Sequence, residues 1–288
     1  MLNRRSFVLS SLAAAAVAAG TLAGCGGTPA ASDDAATTEP TGEAGTGAVD
    51  TGTLIVGFDS SYPPYGYVGD DGEYTGFDLE LAQEVATRND WEVQLEPIDW
   101  DAKDTMLDSG AINCIWNGFT MEGREDDYTF SEPYMLNGQV VVVRADSGIA
   151  SFDDLAGKAV ITQVDSAAYN VLAGEDATQA DLAATFASLE TIGEYNTAFM
   201  QLESGAVDAV ACDLSIAAYQ LAAKPDAYVQ LDEFLSEEHY AVGFKKGDDA
   251  TAEAVTEALR AMDEDGFVAE LCNKYAADGI SYDNWCLE

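Results

Sequence analysis

The chain has a single histidine and few basic residues. Its 288 residues include 12 Lys and Arg against 52 Asp and Glu, which gives a formal net charge of −40. A field of this sign repels nucleic acids and anionic membrane surfaces, so neither is expected as a partner. With His239 alone and no nucleophile motif, the sequence offers little for a histidine-ligated metal or an acid–base catalyst. We therefore expect no metal and no cofactor.

Cysteine is also scarce, with five residues and no Cys-x-x-Cys pair, which argues further against a zinc site. Cys114 and Cys212 lie in apolar, strand-like runs and are interpreted as small buried hydrophobic residues. Cys272 and Cys286 stand 14 residues apart near the C-terminus. Outside the cytoplasm these two could form a disulfide, and the sequence leaves open whether they are joined or free.

Residues 1–24 have the features of an export signal. Arg4 and Arg5 precede an uncharged, alanine-rich stretch that runs from Phe7 to Ala23. The paired arginines resemble a twin-arginine signal, and the run ending at Cys25 resembles a bacterial lipobox, in which the cysteine is acylated. A membrane span needs roughly 20 strongly apolar residues, and this stretch is shorter. We predict an exported protein anchored by Cys25 to the outer face of the cell membrane, or to its periplasmic side.

Residues 25–52 are predicted to form a disordered acidic tether. They consist almost entirely of small, polar and acidic residues, which cannot bury enough apolar surface to offset chain entropy. The remaining residues, from 53 onward, are numerous enough to form two domains of ordinary size.

Two segments that lie 95 residues apart resemble each other. Residues 107–115 read LDSGAINCI, and residues 202–210 read LESGAVDAV. Each follows a helical pattern, reaches a glycine suited to a left-handed helix cap, and then begins a strand. The sequence thus predicts two similar half-structures.

Strand-like and helical patterns alternate along the chain, which predicts an α/β fold with mostly parallel sheets and helices on both faces. A strand is predicted at Leu54–Phe58, followed by a helix capped by Asp78. Ligands of such sheets bind beyond the carboxyl ends of the strands. Gly118 and Asp213 follow the two matching strands, so they are expected to face one cleft between two lobes.

Arg124 is the candidate that would hold a ligand carboxylate. It lies six residues beyond Gly118, and its planar guanidinium matches a carboxylate in shape and charge. The alternative role is a surface ion pair with Glu125, Asp126 or Asp127.

Asp213 is the candidate acceptor for a ligand ammonium group, helped by the Thr120 hydroxyl and the Gly118 carbonyl. The alternative for Asp213 is a helix cap, a role that can coexist with ligand binding. Ser166 opens a helical run, so it could present free N–H groups to an anion or serve only as a cap.

Tyr62 and Trp100 lie outside any clear periodic pattern. Aromatic rings at a cleft could enclose a ligand side chain and exclude water, and the alternative for both is ordinary core packing.

These features together resemble the family 3 extracellular solute-binding proteins, the polar amino-acid-binding proteins of ABC importers. The resemblance covers about residues 53–278 and includes Gly57-Phe58-Asp59, Tyr62-Pro63-Pro64-Tyr65, Gly76-Phe77-Asp78, Trp100, Gly118-Phe119-Thr120, Arg124, Phe130-Ser131-Glu132-Pro133-Tyr134, Leu155-Ala156-Gly157-Lys158, Gln163 to Ser166, and Asp208-Ala209-Val210 ahead of Asp213.

The resemblance implies a hinged, two-lobed, periplasmic-binding-protein-like fold of type II. Lobe 1 would comprise residues 53–142 and 241–288, and lobe 2 residues 143–240. The implied ligand contacts are those already named, with Asp59 added at the far end of the ligand. The loop before Arg124 is one residue shorter than in many members, and Asn117 replaces a small residue; both bear on specificity.

The expected function is the capture of a polar or cationic L-amino acid and its delivery to an ABC permease by a monomeric binding protein, not an enzyme. Two alternatives stay open at this point. One is a lyase similar to cyclohexadienyl dehydratase on the same fold, and the other is a sensory or adhesive lipoprotein without a transport role.

Overall fold

The structure, a computed structural model, describes residues 52–287. The strands of this part are β1 Thr53–Phe58, β2 Ser61–Tyr62, β3 Gly66–Val68, β4 Tyr74–Thr75, β5 Glu92–Pro97, β6 Cys114–Ile115, β7 Tyr128–Phe130, β8 Met135–Arg144, β9 Ala159–Gln163, β10 Ser188–Ile192, β11 Ala209–Asp213, β12 Tyr228–Tyr240 and β13 Gly243–Lys245. Its α-helices are α1 Phe77–Arg88, α2 Lys103–Ser109, α3 Ala167–Ala173, α4 Ala180–Ala183, α5 Tyr195–Ser204, α6 Leu214–Ala223, α7 Asp249–Glu264 and α8 Phe267–Lys274. The predicted signal, the predicted lipid attachment at Cys25 and residues 25–51 of the predicted tether lie outside the described residues.

Two five-stranded sheets share one topology. The strand order is β5-β1-β6-β13-β7 in the first sheet and β10-β9-β11-β8-β12 in the second. In each sheet the first two pairings are parallel and the last two antiparallel. The sheets are therefore evenly mixed, not mostly parallel. The reason is that β8 and β13 each enter directly from the other lobe, so no helical crossover within their own sheet sets their direction.

The repeated segments take the same structure. Gly110 ends α2 with φ 77° and ψ 16°, and Gly205 ends α5 with φ 74° and ψ 19°. Both glycines adopt the left-handed conformation that favours a residue without Cβ. Each helix then leads to the central strand of its sheet, β6 or β11. The prediction of helix, cap and strand in two half-structures is confirmed.

The boundary between the lobes falls earlier than the sequence predicted. Residues 135–142 were expected in lobe 1, but they belong to β8, which pairs with β11 and β12 of the second sheet. The run Val140–Val143 is fully buried and would suit either sheet, so composition could not assign it. In the structure the first lobe comprises residues 53–134 and 241–287, and the second residues 135–240.

The two connections between the lobes run side by side. The backbone N–H of Val242 donates to Ser131 Oγ at 2.9 Å, and that of Tyr134 donates to the Tyr240 carbonyl at 2.9 Å. A pair of hydrogen-bonded connections lets the lobes rotate about one line, which is the arrangement of a hinge.

Cys114 and Cys212 are fully buried in β6 and β11, as predicted. The sequence left open whether Cys272 and Cys286 are joined, and in the structure both are free thiols. Cys272 is buried on α8, whereas the Cys286 thiol faces the Pro133 carbonyl at 3.7 Å. Within residues 52–287, no helix is long and apolar enough to cross a membrane.

Candidate functional site

Polar and aromatic side chains of both lobes surround one cavity at the carboxyl ends of the strands. Its lining residues are Tyr62, Trp100, Asn117, Gly118, Thr120 and Arg124 from the first lobe and Gln163, Ser166, Ala167 and Asp213 from the second. All of the predicted site residues except Asp59 are among them. The volume of the cavity that is open to the centre of a water molecule is about 10 Å³, roughly what a single water needs. The lobes are therefore closed against each other at this point.

Arg124 is a buried cation without a carboxylate partner. It is 8% exposed, and among the ion pairs of residues 52–287 none involves it. Its Nη1 donates to the Thr120 carbonyl at 2.9 Å, and the guanidinium lies 4.7 Å from the centre of the Phe119 ring. The alternative of a surface ion pair with its acidic neighbours is therefore wrong. A buried, unpaired guanidinium is a strong site for an anion.

Asp213 lies on the second-lobe side of the cavity. It occupies the N-cap position of α6, but its side chain makes no capping hydrogen bond. Instead its Oδ1 accepts from Asn137 at 3.1 Å, Gln139 at 2.6 Å and Tyr240 at 3.0 Å. Burial raises the pKa of Asp213. The carboxyl group thus faces the cavity and accepts hydrogen bonds from residues of β8 and β12, and the capping alternative does not hold.

Glu238, on β12, is a buried carboxyl that sequence analysis missed. Its Oε1 accepts from Thr120 Oγ1 at 2.9 Å, Asn137 at 2.7 Å and Gln139 at 2.7 Å. Burial and the nearby charge of Asp213 raise the pKa of Glu238 to about 7. The same two amide groups therefore link Glu238 to Asp213.

Asp78 fixes the loop that carries Gly118. The sequence predicted Asp78 as a helix cap, but α1 is preceded by Gly76 and the Asp78 side chain is fully buried. Its Oδ2 accepts from the Gly118 N–H at 2.6 Å, and its Oδ1 accepts from the Tyr134 hydroxyl at 2.8 Å. Gly118 has φ +57°, and a Cβ there would lie 3.0 Å from the Tyr240 ring. A glycine is needed at this position, and its carbonyl side is left for the cavity.

Ser166 and Asn117 differ in how their polar atoms are used. Ser166 caps α3, because its Oγ accepts from the Tyr169 N–H at 3.1 Å. Both alternatives for Ser166 are thus compatible with its position, since it caps the helix and also lines the cavity. Asn117 is 1% exposed, and neither atom of its amide group has a partner within the described residues. Its amide is therefore free to donate to or accept from a ligand.

Tyr62 and Trp100 are the two aromatic residues that line the cavity. The Tyr62 hydroxyl lies 3.4 Å from that of Tyr240, and its ring centre lies 6.1 Å from that of Tyr195. Trp100 packs edge to face on Phe119 with ring centres 5.7 Å apart. Both rings belong to aromatic clusters and line the cavity as well, so the packing and the site interpretations hold together.

Asp59 lies beside the main cavity in an acidic hollow of about 440 Å³ that includes Asp99, Asp101 and Glu194. Its Oδ2 accepts from Gln163 of the other lobe at 2.8 Å. Burial raises the pKa of Asp59, and the charges of Glu194 and Asp99 add to this effect. The hollow adjoins Trp100, which lines both spaces, so it offers negative charge beyond the ring.

Asp165 of the second lobe connects three side chains of the first. Its carboxylate forms an ion pair with Lys103, whose side chain is 3% exposed. Its carbonyl accepts from Trp100 Nε1 at 3.3 Å and from Arg124 Nη2 at 3.4 Å. Asp165 has φ 56°, an uncommon left-handed conformation that directs its carbonyl toward the first lobe. These contacts can form only when the lobes are closed.

We expect Lys103→Met to lower the closed fraction of the protein and to weaken ligand binding by at most about fivefold. The pair is modest because the Asp165 side chain is 44% exposed, and such pairs contribute up to about 1 kcal/mol. Small-angle scattering and calorimetry measure the two effects. Lys274→Met, which removes a pair with Glu80 inside one lobe, is the matched control. A loss of binding far above fivefold would mean that Lys103 contacts the ligand.

The site residues to which the sequence analysis assigned no role lie on β8 and β12 and at the end of β9. Asn137, Gln139 and Glu238 belong to β8 and β12, whose pairing brings them together across about a hundred positions of sequence. Gln163 ends β9, so the rule that ligands bind beyond strand ends could have identified it.

The chain matches known proteins over nearly all of its folded part. Residues 54–278 match the family of bacterial extracellular solute-binding proteins, family 3. An L-cystine-binding protein of Escherichia coli (strain K12) is 32% identical over 228 residues, which are 78% of this chain and 82% of that one.

Two solved structures extend the comparison. An ABC uptake transporter substrate-binding protein from Streptococcus pneumoniae, solved with bound histidine, has a TM-score of 0.75 and 31% identity, with 80% of this chain and 95% of that one covered. An ancestral amino acid-binding protein, described as a precursor of cyclohexadienyl dehydratase, has a TM-score of 0.70 and 30% identity, with 78% and 95% covered. The chain belongs to the bacterial extracellular solute-binding proteins of family 3.

Proposed function

We propose that this solute-binding protein captures a polar L-amino acid between its lobes and delivers it to the permease of an ABC importer. The observation that carries the proposal is the buried Arg124 guanidinium, which has no carboxylate partner among the described residues. Asp213 lines the same cavity from the other lobe. A cation and an anion on facing walls match the carboxylate and the ammonium of a zwitterion. A ligand that touches both walls stabilises the closed state over the open one.

The acidic hollow beside the cavity favours a ligand with a polar or cationic distal group. Asp59, Asp99, Asp101 and Glu194 line it, and no Lys or Arg is among its lining residues. The Escherichia coli relative is named for L-cystine, and the Streptococcus pneumoniae structure holds histidine. Both amino acids carry nitrogen at the far end, and an N–H group there could donate a hydrogen bond to the carboxylates of such a hollow.

Binding without catalysis fits the arrangement of the buried acids. A lyase needs an acid or base directed at the ligand's reacting carbon. Glu238 is buried behind Thr120, and its Oε1 already accepts from three donors. The similarity to the precursor of cyclohexadienyl dehydratase is a similarity to a protein described as amino acid-binding. We expect no turnover of prephenate or arogenate.

Calorimetry of the full chain with Cys25→Ser, which prevents lipid attachment, tests the proposal against the twenty amino acids and L-cystine. At least one of them is expected to bind with one-to-one stoichiometry. If none of them binds, the amino-acid assignment is wrong.

We also propose that Cys25 carries the lipid that anchors the protein outside the cytoplasm, on the strength of the lipobox-like run that ends there. Labelled palmitate should be incorporated into the wild-type chain and not into Cys25→Ser. A gene for a permease or an ATPase next to this one would favour transport over a sensory or adhesive role.

A further inference from the structure

Two buried carboxyl groups, those of Asp213 and Glu238, lie on either side of one pair of amides. Asn137 Nδ2 and Gln139 Nε2 each donate to Asp213 Oδ1 and also to Glu238 Oε1, at 2.6 to 3.1 Å. The side chains come from β11 and β12, on either side of β8. Asp213 is 5% exposed and Glu238 is 3% exposed. The two acids therefore share their hydrogen-bond donors and a poorly solvated environment.

The surroundings provide little positive charge for two carboxylates. Within residues 52–287, neither acid forms an ion pair with a Lys or an Arg. The other ionisable groups close to the pair are the phenols of Tyr62, Tyr65, Tyr195 and Tyr240 and the thiol of Cys212, all of which are neutral at ordinary pH because burial raises the pKa of each. Arg124 lines the same cavity as Asp213, but its hydrogen bonds go to the carbonyls of Thr120 and Asp165 and not to either acid. Two like charges at short range in a low dielectric are costly, and a single shared proton relieves that cost.

We propose that Asp213 and Glu238 hold one proton between them when no ligand is bound, and that the ammonium group of an incoming amino acid releases this proton to solvent. The inference rests on the proposed function. A carboxyl O–H bond breaks, the proton passes to water, and the ammonium supplies the positive charge that the pair then requires. No other co-reactant takes part.

Glu238 acts in this scheme as a positioning residue. Its Oε1 accepts a hydrogen bond from the Thr120 hydroxyl, so the lone pairs of Thr120 Oγ1 remain available to a ligand N–H group. Thr120 and Asp213 line the cavity, whereas Glu238 does not. The ammonium therefore contacts Thr120 and Asp213, and Glu238 responds to it from one hydrogen bond away.

The sign of the pH dependence follows from the proton count. The pKa of Glu238 is about 7 without ligand, and a bound ammonium lowers it. Well above that pH the pair is ionised before and after binding, so no proton is released. Below it, binding must expel a proton, so Kd rises as pH falls from about 7, by up to about tenfold per pH unit.

The test is a proton count by calorimetry in buffers of small and large ionisation enthalpy. L-arginine is the first probe, followed by any other amino acid that binds more tightly; histidine is excluded because its imidazole titrates in the same range. The wild type should release a large fraction of one proton at about pH 6.5 and almost none at about pH 8.5. Glu238→Gln should release none, and its Kd should change much less with pH.

His239→Gln is the matched control, because His239 is the neighbouring titratable residue on β12 and bonds to Glu122, away from the cavity. It should release protons as the wild type does. Should Glu238→Gln fail to fold, carbon-13 NMR of the wild-type carboxyl groups should show a glutamate that titrates near neutral pH without ligand and at lower pH with it.

Three results would overturn the inference. Wild-type binding without proton release at about pH 6.5 would contradict the shared proton while leaving the amino-acid function intact. Equal release by Glu238→Gln would place the proton elsewhere. A chain that binds no amino acid would overturn the proposed function together with this inference.

Discussion

Arg124→Ala is expected to weaken the binding of every amino acid by about 2–5 kcal/mol, on the order of 30-fold to several thousand-fold in Kd. The substitution removes the buried cation that would hold the carboxylate, a group that all amino acids share. The ligand would then bury that carboxylate without a charged partner, which is costly in a closed cavity. Calorimetry with the amino acid found to bind gives the change directly.

A ligand lacking the carboxylate charge sharpens this experiment. The wild type should strongly prefer an amino acid over its amide, and Arg124→Ala should lose most of that preference because no cation remains to discriminate. Arg88→Ala, which removes partly buried ion pairs with Glu84 and Asp265 away from the cavity, is the matched control and should bind normally. If Arg124→Ala only reorders the preferred amino acids and keeps their affinity, the assigned role of Arg124 is wrong.

Asp213→Asn is expected to weaken binding by a similar amount, about 2–5 kcal/mol. The amide keeps the size of the side chain but removes the negative charge that faces the ligand ammonium. The free energy of unfolding should stay the same or rise, because a buried carboxylate without a cationic partner is itself unfavourable in the folded protein. Calorimetry and thermal unfolding separate these two effects.

Asp208→Asn is the matched control for Asp213→Asn. Asp208 lies ahead of the same strand, but its carboxylate accepts from the Ala159 N–H and does not line the cavity. It should bind ligand as the wild type does. Binding by Asp213→Asn within about threefold of the wild type, which is under 1 kcal/mol, would show that the ammonium contacts another group.

The two-lobed fold could be predicted because its signals are local. Gly110 and Gly205 end helices of the same pattern, and in both cases the left-handed cap and the following strand lie within a few residues. The lobe boundary could not be predicted as well, because β8 belongs to its sheet only through pairing with β11 and β12. Four buried valines in succession carry no information about which sheet they join.

The residues that line the cavity were easier to predict from the sequence than Glu238, which lies behind Thr120. Arg124, Thr120 and Asp213 follow strands or lie in loops at strand ends, where parallel sheets place ligands. Glu238 stands within a run of polar residues on β12 that resembles an exposed edge strand. Only its distant partners, Thr120, Asn137 and Gln139, show that it is buried.

Two side chains have roles that their local sequence does not reveal. Local sequence predicts a helix cap at Asp78, whereas its carboxylate holds Gly118, which lies 40 residues away. The sequence leaves open whether Cys272 and Cys286 are joined, and in the structure both are free, with the Cys286 thiol facing the carbonyl of Pro133. In both cases a partner that is distant in sequence determines what the side chain does.

Closure of the lobes connects these details to capture and release. Two contacts join the lobes directly: the ion pair of Asp165 with Lys103 and the hydrogen bond from Gln163 to Asp59. In addition, Asp213 of the second lobe and Tyr62 of the first line the same cavity. Each contact is modest, so the closed state needs a ligand to complete it, and opening frees the ligand. An importer that engages only the closed form would thereby recognise the loaded protein.

The structure of this protein with its bound amino acid tests the central claim most directly. The ligand carboxylate is predicted to lie within hydrogen-bonding distance of the Arg124 guanidinium, with its ammonium group on Asp213 and Thr120 and its side chain directed past Trp100 toward Asp59. A ligand bound in the reverse orientation, or outside the space between Arg124 and Asp213, would contradict the account.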